Sequence, residues 1–131
     1  MYWDPLRKKN VPETPEEKVR QWFIVELNNT FGVPMHMMMS ETGFRFGGKQ
    51  YRADILVYDR EAKPLLVVEC KEPGVAIDAE VARQALRYNA VLDVRYIVLT
   101  NGISTYAYER RDDAFAPLRQ IPSYEIMTCR H

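Results

Sequence analysis

Tyr51-Arg52-Ala53-Asp54-Ile55-Leu56-Val57-Tyr58 and, after the short connection 59–63, Pro64-Leu65-Leu66-Val67-Val68-Glu69-Cys70-Lys71 are the two runs on which the fold turns. Both read as buried strands, and the second is continuously apolar until its last three residues. Side chains on a strand alternate faces, so Glu69 and Lys71 project together while Cys70 turns back toward the core. If 59–63 closes a hairpin, Asp54 comes level with Glu69, and two carboxylates fall within reach of one cation. Mg²⁺ is bound in this manner, by few carboxylates with several waters and a substrate phosphate. The backbone carbonyl of Cys70 offers a further oxygen with no side-chain requirement. Phosphate-ester hydrolysis needs accelerations that can reach roughly 10¹⁷-fold, about 23 kcal/mol, more than one side chain provides. A metal acting as Lewis acid and water activator supplies much of it. Lys71 beside such a site either orients the attacking water or neutralises charge developing in the transition state.

The flanking sequence places helices and further strands around these runs. Thr14-Pro15-Glu16-Glu17 is a helix start, with Thr14 as N-cap, Pro15 in the first turn and acids complementing the helix dipole. Val19, Phe23, Leu27 and Phe31 give that helix an apolar stripe to about Phe31, where Gly32 ends it. Segment 35–46 is less regular and turns at Gly47-Gly48 into the Asp54 strand. Asp78 caps a second helix running to about Leu92, with Val81, Ala85, Tyr88 and Leu92 near one face. Strands over 95–100 and 103–109 are joined by Asn101-Gly102, a strong hairpin signal. The tail after Arg110 gives little indication of its structure. The pattern predicts an α/β (α+β) fold, a mixed central sheet flanked by helices with an αβββαβ core.

Composition narrows the class. A chain of 131 residues suits one domain. Its core is expected over about 14–109, with an N-terminal extension over 1–13 and a C-terminal one over 110–131. Two cysteines, Cys70 and Cys129, make no disulfide framework, and no long apolar run suggests a membrane segment, which together point to a reducing cytoplasm. A formal net charge of zero argues against a broad basic coat for nucleic acid and leaves local patches as candidates. These are Arg7-Lys8-Lys9, the trio Arg45, Lys49 and Arg52, and Arg110-Arg111. His36 and His131 lack companion ligands, so no zinc site is expected. Met35 and Met37 to Met39 read as core or edge fillers.

Asp54, Glu69-Cys70-Lys71 and then Gln84-Ala-Leu-Arg-Tyr88 resemble the PD-(D/E)XK nuclease superfamily, in its branch with a Gln-x-x-x-Tyr motif on the second helix. The resemblance is closer to the N-terminal domain of type I restriction enzyme R subunits, carried by Thr14-Pro-Glu-Glu-Lys-Val-Arg-Gln21, Ala53-Asp-Ile-Leu-Val-Tyr58, Val68-Glu-Cys-Lys71, 84–89 and Val98-Leu-Thr-Asn-Gly102. Ala53 stands where the superfamily's namesake proline would precede the acid. The resemblance implies a restriction-endonuclease-like fold and a Mg²⁺-dependent DNA endonuclease, with Mn²⁺ as substitute. It makes Asp54 and Glu69 metal ligands with the Cys70 carbonyl, Lys71 the catalytic lysine, and an acid of the first helix the completing ligand. Glu16 and Glu17 compete for that place. Glu16 is preferred, because it falls in the middle of the arc of Val19, Phe23 and Leu27 and so would face inward. Gln84 and Tyr88 would contact the phosphodiester backbone or brace the catalytic strand, and Arg20 and Arg52 would touch nucleic acid or support the site. A Gly-x-x-x-x-Gly-Lys-Ser/Thr phosphate loop does not occur in this sequence. The expected partners are therefore DNA, separate motor, methyltransferase or specificity subunits, and a second copy of the chain where two strands are to be cut. A module of the same fold that binds nucleic acid without turnover is the alternative.

Overall fold

The computed structural model describes residues 1–129, with Phe44 and Phe46 described by backbone alone; His131 lies outside the described residues. The chain begins with a small hairpin, β1 (Tyr2–Asp4) and β2 (Lys9–Val11), followed by α1 (Pro15–Asn29). Thr14 caps α1 by accepting the Glu17 N–H at 3.1 Å. The helix stops at Asn29, two residues earlier than the apolar stripe suggests. There the Thr30 and Phe31 N–H groups both fall on the Glu26 carbonyl, and Gly32 turns the chain at φ +72°.

A 3₁₀ turn (Met35–Met37) leads into β3 (Met38–Phe46), a nine-residue strand where the sequence suggested an irregular segment. Its regularity comes from a partner. Gly47 and Gly48, both at positive φ, close a two-residue turn into β4 (Lys49–Tyr58), and the register runs from Phe46↔Lys49 to Met38↔Val57. The hairpin is interrupted at Glu41, whose φ of +52° leaves the Glu41/Asp54 pair out of the ladder.

Next come β5 (Pro64–Cys70) and α2 (Ala79–Asn89), capped by the Asp78 carboxylate on the Val81 N–H at 2.9 Å. After these, β6 (Tyr96–Thr100), β7 (Thr105–Arg111), β8 (Ala114–Leu118) and α3 (Tyr124–Thr128) complete the chain. The large sheet has the order β3-β4-β5-β6-β7-β8. Neighbours are antiparallel except β5 and β6, which are parallel and joined through α2, as a parallel pair requires. Helix α2 ends at Asn89, short of Leu92. The Asn101-Gly102 turn takes four residues, because the Asn101 side chain accepts both the Ile103 and Ser104 N–H groups and delays β7 to Thr105.

The core lies on both faces of the sheet. On one, Val19, Phe23, Ile24 and Leu27 of α1 pack on Ile55, Val57, Leu66, Val68 and Cys70, joined by Tyr124 and Met127 of α3. On the other, Leu86 and Leu92 cover Leu56, Val67 and Ile97. Each large side chain so buried contributes roughly 1.5–3 kcal/mol, so packing rather than helix propensity fixes α1 on the sheet. Met38 is buried, Met35 and Met37 pad the edge, and Met39 is exposed. No helix among the described residues is long and apolar enough to cross a membrane.

Candidate active site

The end of β5 and the middle of β4 meet in a cleft of about 530 Å³, whose lining includes Glu16, Arg52, Asp54, Glu69, Lys71, Gln84, Tyr88 and Asn89. Ladder pairing between β4 and β5 ends at Ile55↔Val68, a register that carries Asp54 level with Glu69 where the strands part. The separation leaves the Cys70 N–H without a ladder partner, and Asp54 Oδ2 accepts it at 2.7 Å. Lys71 N–H, by contrast, bonds the Thr100 carbonyl of β6 at 2.8 Å. The intervening peptide is trans, so the Cys70 carbonyl points the opposite way, toward β4 and Asp54. The Cys70 thiol is buried, and burial raises its pKa well above the ordinary value.

Glu69 and Lys71 project together, with Lys71 Nζ 3.0 Å from Glu69 Oε2. The other oxygen, Oε1, accepts from Asn89 Nδ2 at 3.2 Å. Asn89 is buried at the end of α2 and also bonds the Ala85 carbonyl. Tyr88 braces β4, since its hydroxyl accepts the Arg52 N–H at 3.2 Å and its ring lies 5.3 Å from that of Tyr51. Gln84 is exposed and touches Glu80.

The acids of α1 divide their work in a way the apolar arc misrepresents. Glu17, not Glu16, is the buried one: it accepts from Arg7, Arg20 and Gln21. Glu16 is half exposed and stands beside Asp54, because the first turn of α1 leans over the strand ends rather than the core. Glu16, Asp54 and Glu41 bring carboxylate oxygens within 4.8 Å of one another. Glu69, held by Lys71 and Asn89, is not part of that group. Glu41 was not singled out from the sequence, although a two-residue turn at Gly47-Gly48 sets it opposite Asp54 by counting back along the hairpin. Asn89 was likewise passed over, next to Tyr88.

Arg20 is the hub. Its side chain is 4% exposed, and Nη1 bonds Glu17 at 2.6 Å. Its Nη2 faces Glu16 at 3.1 Å, Asp54 at 2.9 Å and Glu41 at 2.5 Å. Two hydrogens on Nη2 thus serve three carboxylates, while the buried Nε–H has no acceptor among the described residues. Burial opposes the Arg20 charge, but Asp54 and the surrounding acids outweigh it and raise the pKa. Burial pushes the Asp54 carboxyl above its ordinary value despite the Cys70 and Arg20 bonds. Glu16 is raised by burial and then by the nearby Asp54 charge. Three carboxylates thus stand against two guanidinium groups, since Arg52 also pairs with Glu41, so negative charge is still in excess when all are ionised, and the donors are hard oxygens of the kind Mg²⁺ and Mn²⁺ take.

One arginine in each of two basic patches has a structural role. Arg7 directs its guanidinium to Asp4 and Glu17, fastening the N-terminal hairpin to α1. Arg110 donates to the carbonyls of Ala90, Leu92 and Val94, closing the loop after α2. A second cleft, of about 590 Å³, lies near the 59–63 turn, with residues of both charge signs and none of the Asp54, Glu69 and Lys71 set.

The family described as type I restriction enzyme R protein N terminus (HSDR_N) matches residues 15–122. None of the curated proteins matches the chain. Among solved structures, the chain is similar to a fragment of a candidate HsdR subunit of a type I restriction enzyme from Vibrio vulnificus, at 20% identity and TM-score 0.63 over 84% of this chain. The chain spans 24% of that protein's length. A candidate nuclease from Anabaena variabilis shares 13% identity, with TM-score 0.54 over 92% of this chain and 84% of its own. The type IIG restriction endonuclease BpuSI shares 16% identity and TM-score 0.52 over 80% of this chain and 13% of its own. These likenesses mark the fold as that of restriction-endonuclease-like nucleases, and the match over 15–122 means that the chain belongs to the type I restriction enzyme R protein N-terminal family.

Proposed function

We propose that the chain acts as one nuclease unit, cleaving DNA phosphodiesters in a restriction system with Mg²⁺, or Mn²⁺ in its place. The observation that carries the reading is the convergence of Glu16, Glu41 and Asp54 oxygens within 4.8 Å beside the Glu69 and Lys71 pair. Asp54, Glu69, the Cys70 carbonyl and Glu16 would hold the ion. Once bound, it would polarise a phosphoryl oxygen and lower the pKa of a water. Lys71, released in part from Glu69, orients that water or offsets charge on the phosphate. Arg20 keeps Asp54 and Glu16 aimed at one point, and Tyr88 holds β4 in register against α2. Gln84 and Arg52, on the open wall of the cleft, meet the phosphodiester backbone. Motor and specificity subunits would deliver DNA to the site.

A silent module is the second reading, favoured by one observation: Glu69 is held by Lys71 and Asn89 away from the three clustered acids. Cleavage of supercoiled plasmid and single-stranded DNA, with Mg²⁺ or Mn²⁺ and with chelator, separates them. Chelator-sensitive nicking that is lost in Asp54→Ala and Lys71→Ala is the expected result. Wild-type protein that binds Mn²⁺ but never nicks supports the silent module, and absence of Mn²⁺ binding by titration calorimetry removes the metal site.

A further inference from the structure

The β3/β4 hairpin is longer than the sheet that carries it. Pairing of β4 with β5 covers only Ile55 to Tyr58, whereas pairing with β3 continues to Phe46↔Lys49. The stretch from Thr42↔Ala53 outward is therefore a two-stranded ribbon that leaves the sheet at the site, with Glu41 and Asp54 at its root. Its charge is of one sign: residues 42–53 include Arg45, Lys49 and Arg52 and no acid, in a chain whose net charge is zero, with Arg52 paired to Glu41 at the root. Arg45, Lys49, Gln50 and Arg52 are exposed.

One side of the ribbon is already occupied. Tyr51 is buried against Tyr88, whose hydroxyl takes the Arg52 N–H, so α2 supports the ribbon from that side. Opposed residues share a face, so the Gly43↔Arg52 and Arg45↔Gln50 pairs lie together on the other. The tip is Gly47-Gly48, where an added Cβ would meet nothing within 4 Å. A two-stranded ribbon is one of the two elements that the major groove of B-DNA admits. Five residue pairs, four steps of about 3.3 Å, span roughly 13 Å beyond the site, the rise of about four phosphates along one strand.

Resting on the nuclease reading above, we propose that ribbon 42–53 is the arm by which the chain grips duplex DNA: Arg45 on the open face and Lys49 on the Tyr51 face, its Nζ 5.5 Å over that ring, neutralise phosphates on either side of the ribbon, the thin glycine tip enters the groove, and the scissile strand lies at the ribbon's root. Charge complementarity selects the occupant, since an acid-free basic projection beside an acidic cleft attracts a polyanion at one place and leaves the cation position to the other.

The test is binding of a fluorescein-labelled duplex of about 20 base pairs, by anisotropy in Ca²⁺ or chelator so that nothing is cut, across a salt series. Arg45→Ala with Lys49→Ala is compared with wild type, and Mn²⁺ titration and thermal melting show that site and fold are intact. Each lost phosphate contact lowers the slope of log K against log salt by about 0.9, so the double variant should lose about 1.8 and bind roughly tenfold more weakly at low salt. Mn²⁺ affinity should not change. Duplex binding with unaltered slope and affinity in the variant overturns the arm and leaves the nuclease reading standing. Loss confined to a single-stranded probe overturns duplex gripping. Failure of the wild type to bind duplex at low salt overturns the arm, and cleavage with Mn²⁺ by that same protein would still uphold the nuclease.

Discussion

Asp54 meets two opposing influences: the Cys70 N–H and the Arg20 guanidinium favour its charge, while burial disfavours it and prevails, so its pKa is raised. Glu16 is raised in the same direction, by burial first and then by Asp54. A carboxyl whose folded pKa lies above the unfolded one binds its proton more tightly when folded. Its contribution to stability is therefore lost as pH rises from the ordinary carboxylate value through the raised one. Without metal, Asp54→Asn should gain in melting temperature relative to wild type between about pH 4 and pH 7. Its cleavage should fall by about 10²-fold or more. Adding Mn²⁺ at pH 7 should reverse the order, since a ligand that binds only the folded wild type raises its melting temperature by mass action. A variant that instead loses stability as pH rises would show that Arg20 stabilises the ionised Asp54 by more than burial costs it.

At the scale of elements, what was legible in the sequence was local. Both helix starts followed from Thr14 and Asp78, because capping joins atoms three residues apart. The hairpins at 59–63 and 101–104 followed from short connections between apolar runs. What escaped depended on distant partners. Strand β3 is made regular by β4. Hairpin β1/β2 is fastened by Asp4 and Arg7 onto Glu17, and β8 is placed by its pairing with β7. The assignment of Glu16 rested on an arc that presumed a wholly inward first turn, yet that turn overhangs the strand ends. Glu41 was within reach by counting from the Gly47-Gly48 turn, while Asn89 needed α2 docked on β5. Asn89 joins the two elements through Glu69 Oε1, so Asn89→Ala leaves that carboxylate held by Lys71 alone. Removing a partner that orients a metal ligand costs about 10- to 100-fold in metal affinity. Titration of Mn²⁺ into this variant, at a temperature where melting shows it folded although less stable than wild type, should show a loss of about tenfold. An unchanged affinity would mean that Glu69 is oriented by Lys71 or does not touch the ion.

Across the whole molecule, an acidic cluster gathered on Arg20 adjoins an acid-free ribbon that carries Arg45, Lys49 and Arg52, with Arg52 paired to Glu41 where the two meet. The described residues hold one set of Asp54, Glu69 and Lys71, in one cleft. The strands of a duplex are antiparallel, so one such cleft addresses one scissile phosphate in each encounter. Cutting both strands takes a second encounter or a second copy. With the isolated chain acting alone, supercoiled plasmid should pass first to open circle, which accumulates. Linear product should follow, its initial rate rising more steeply with protein concentration than the rate of nicking. Gel quantification of the three forms over a concentration series checks this. Linear product that appears without an open-circle phase at every concentration would mean that paired copies place two clefts on opposite strands, and the ribbon of one chain would then have to share the groove with that of the other.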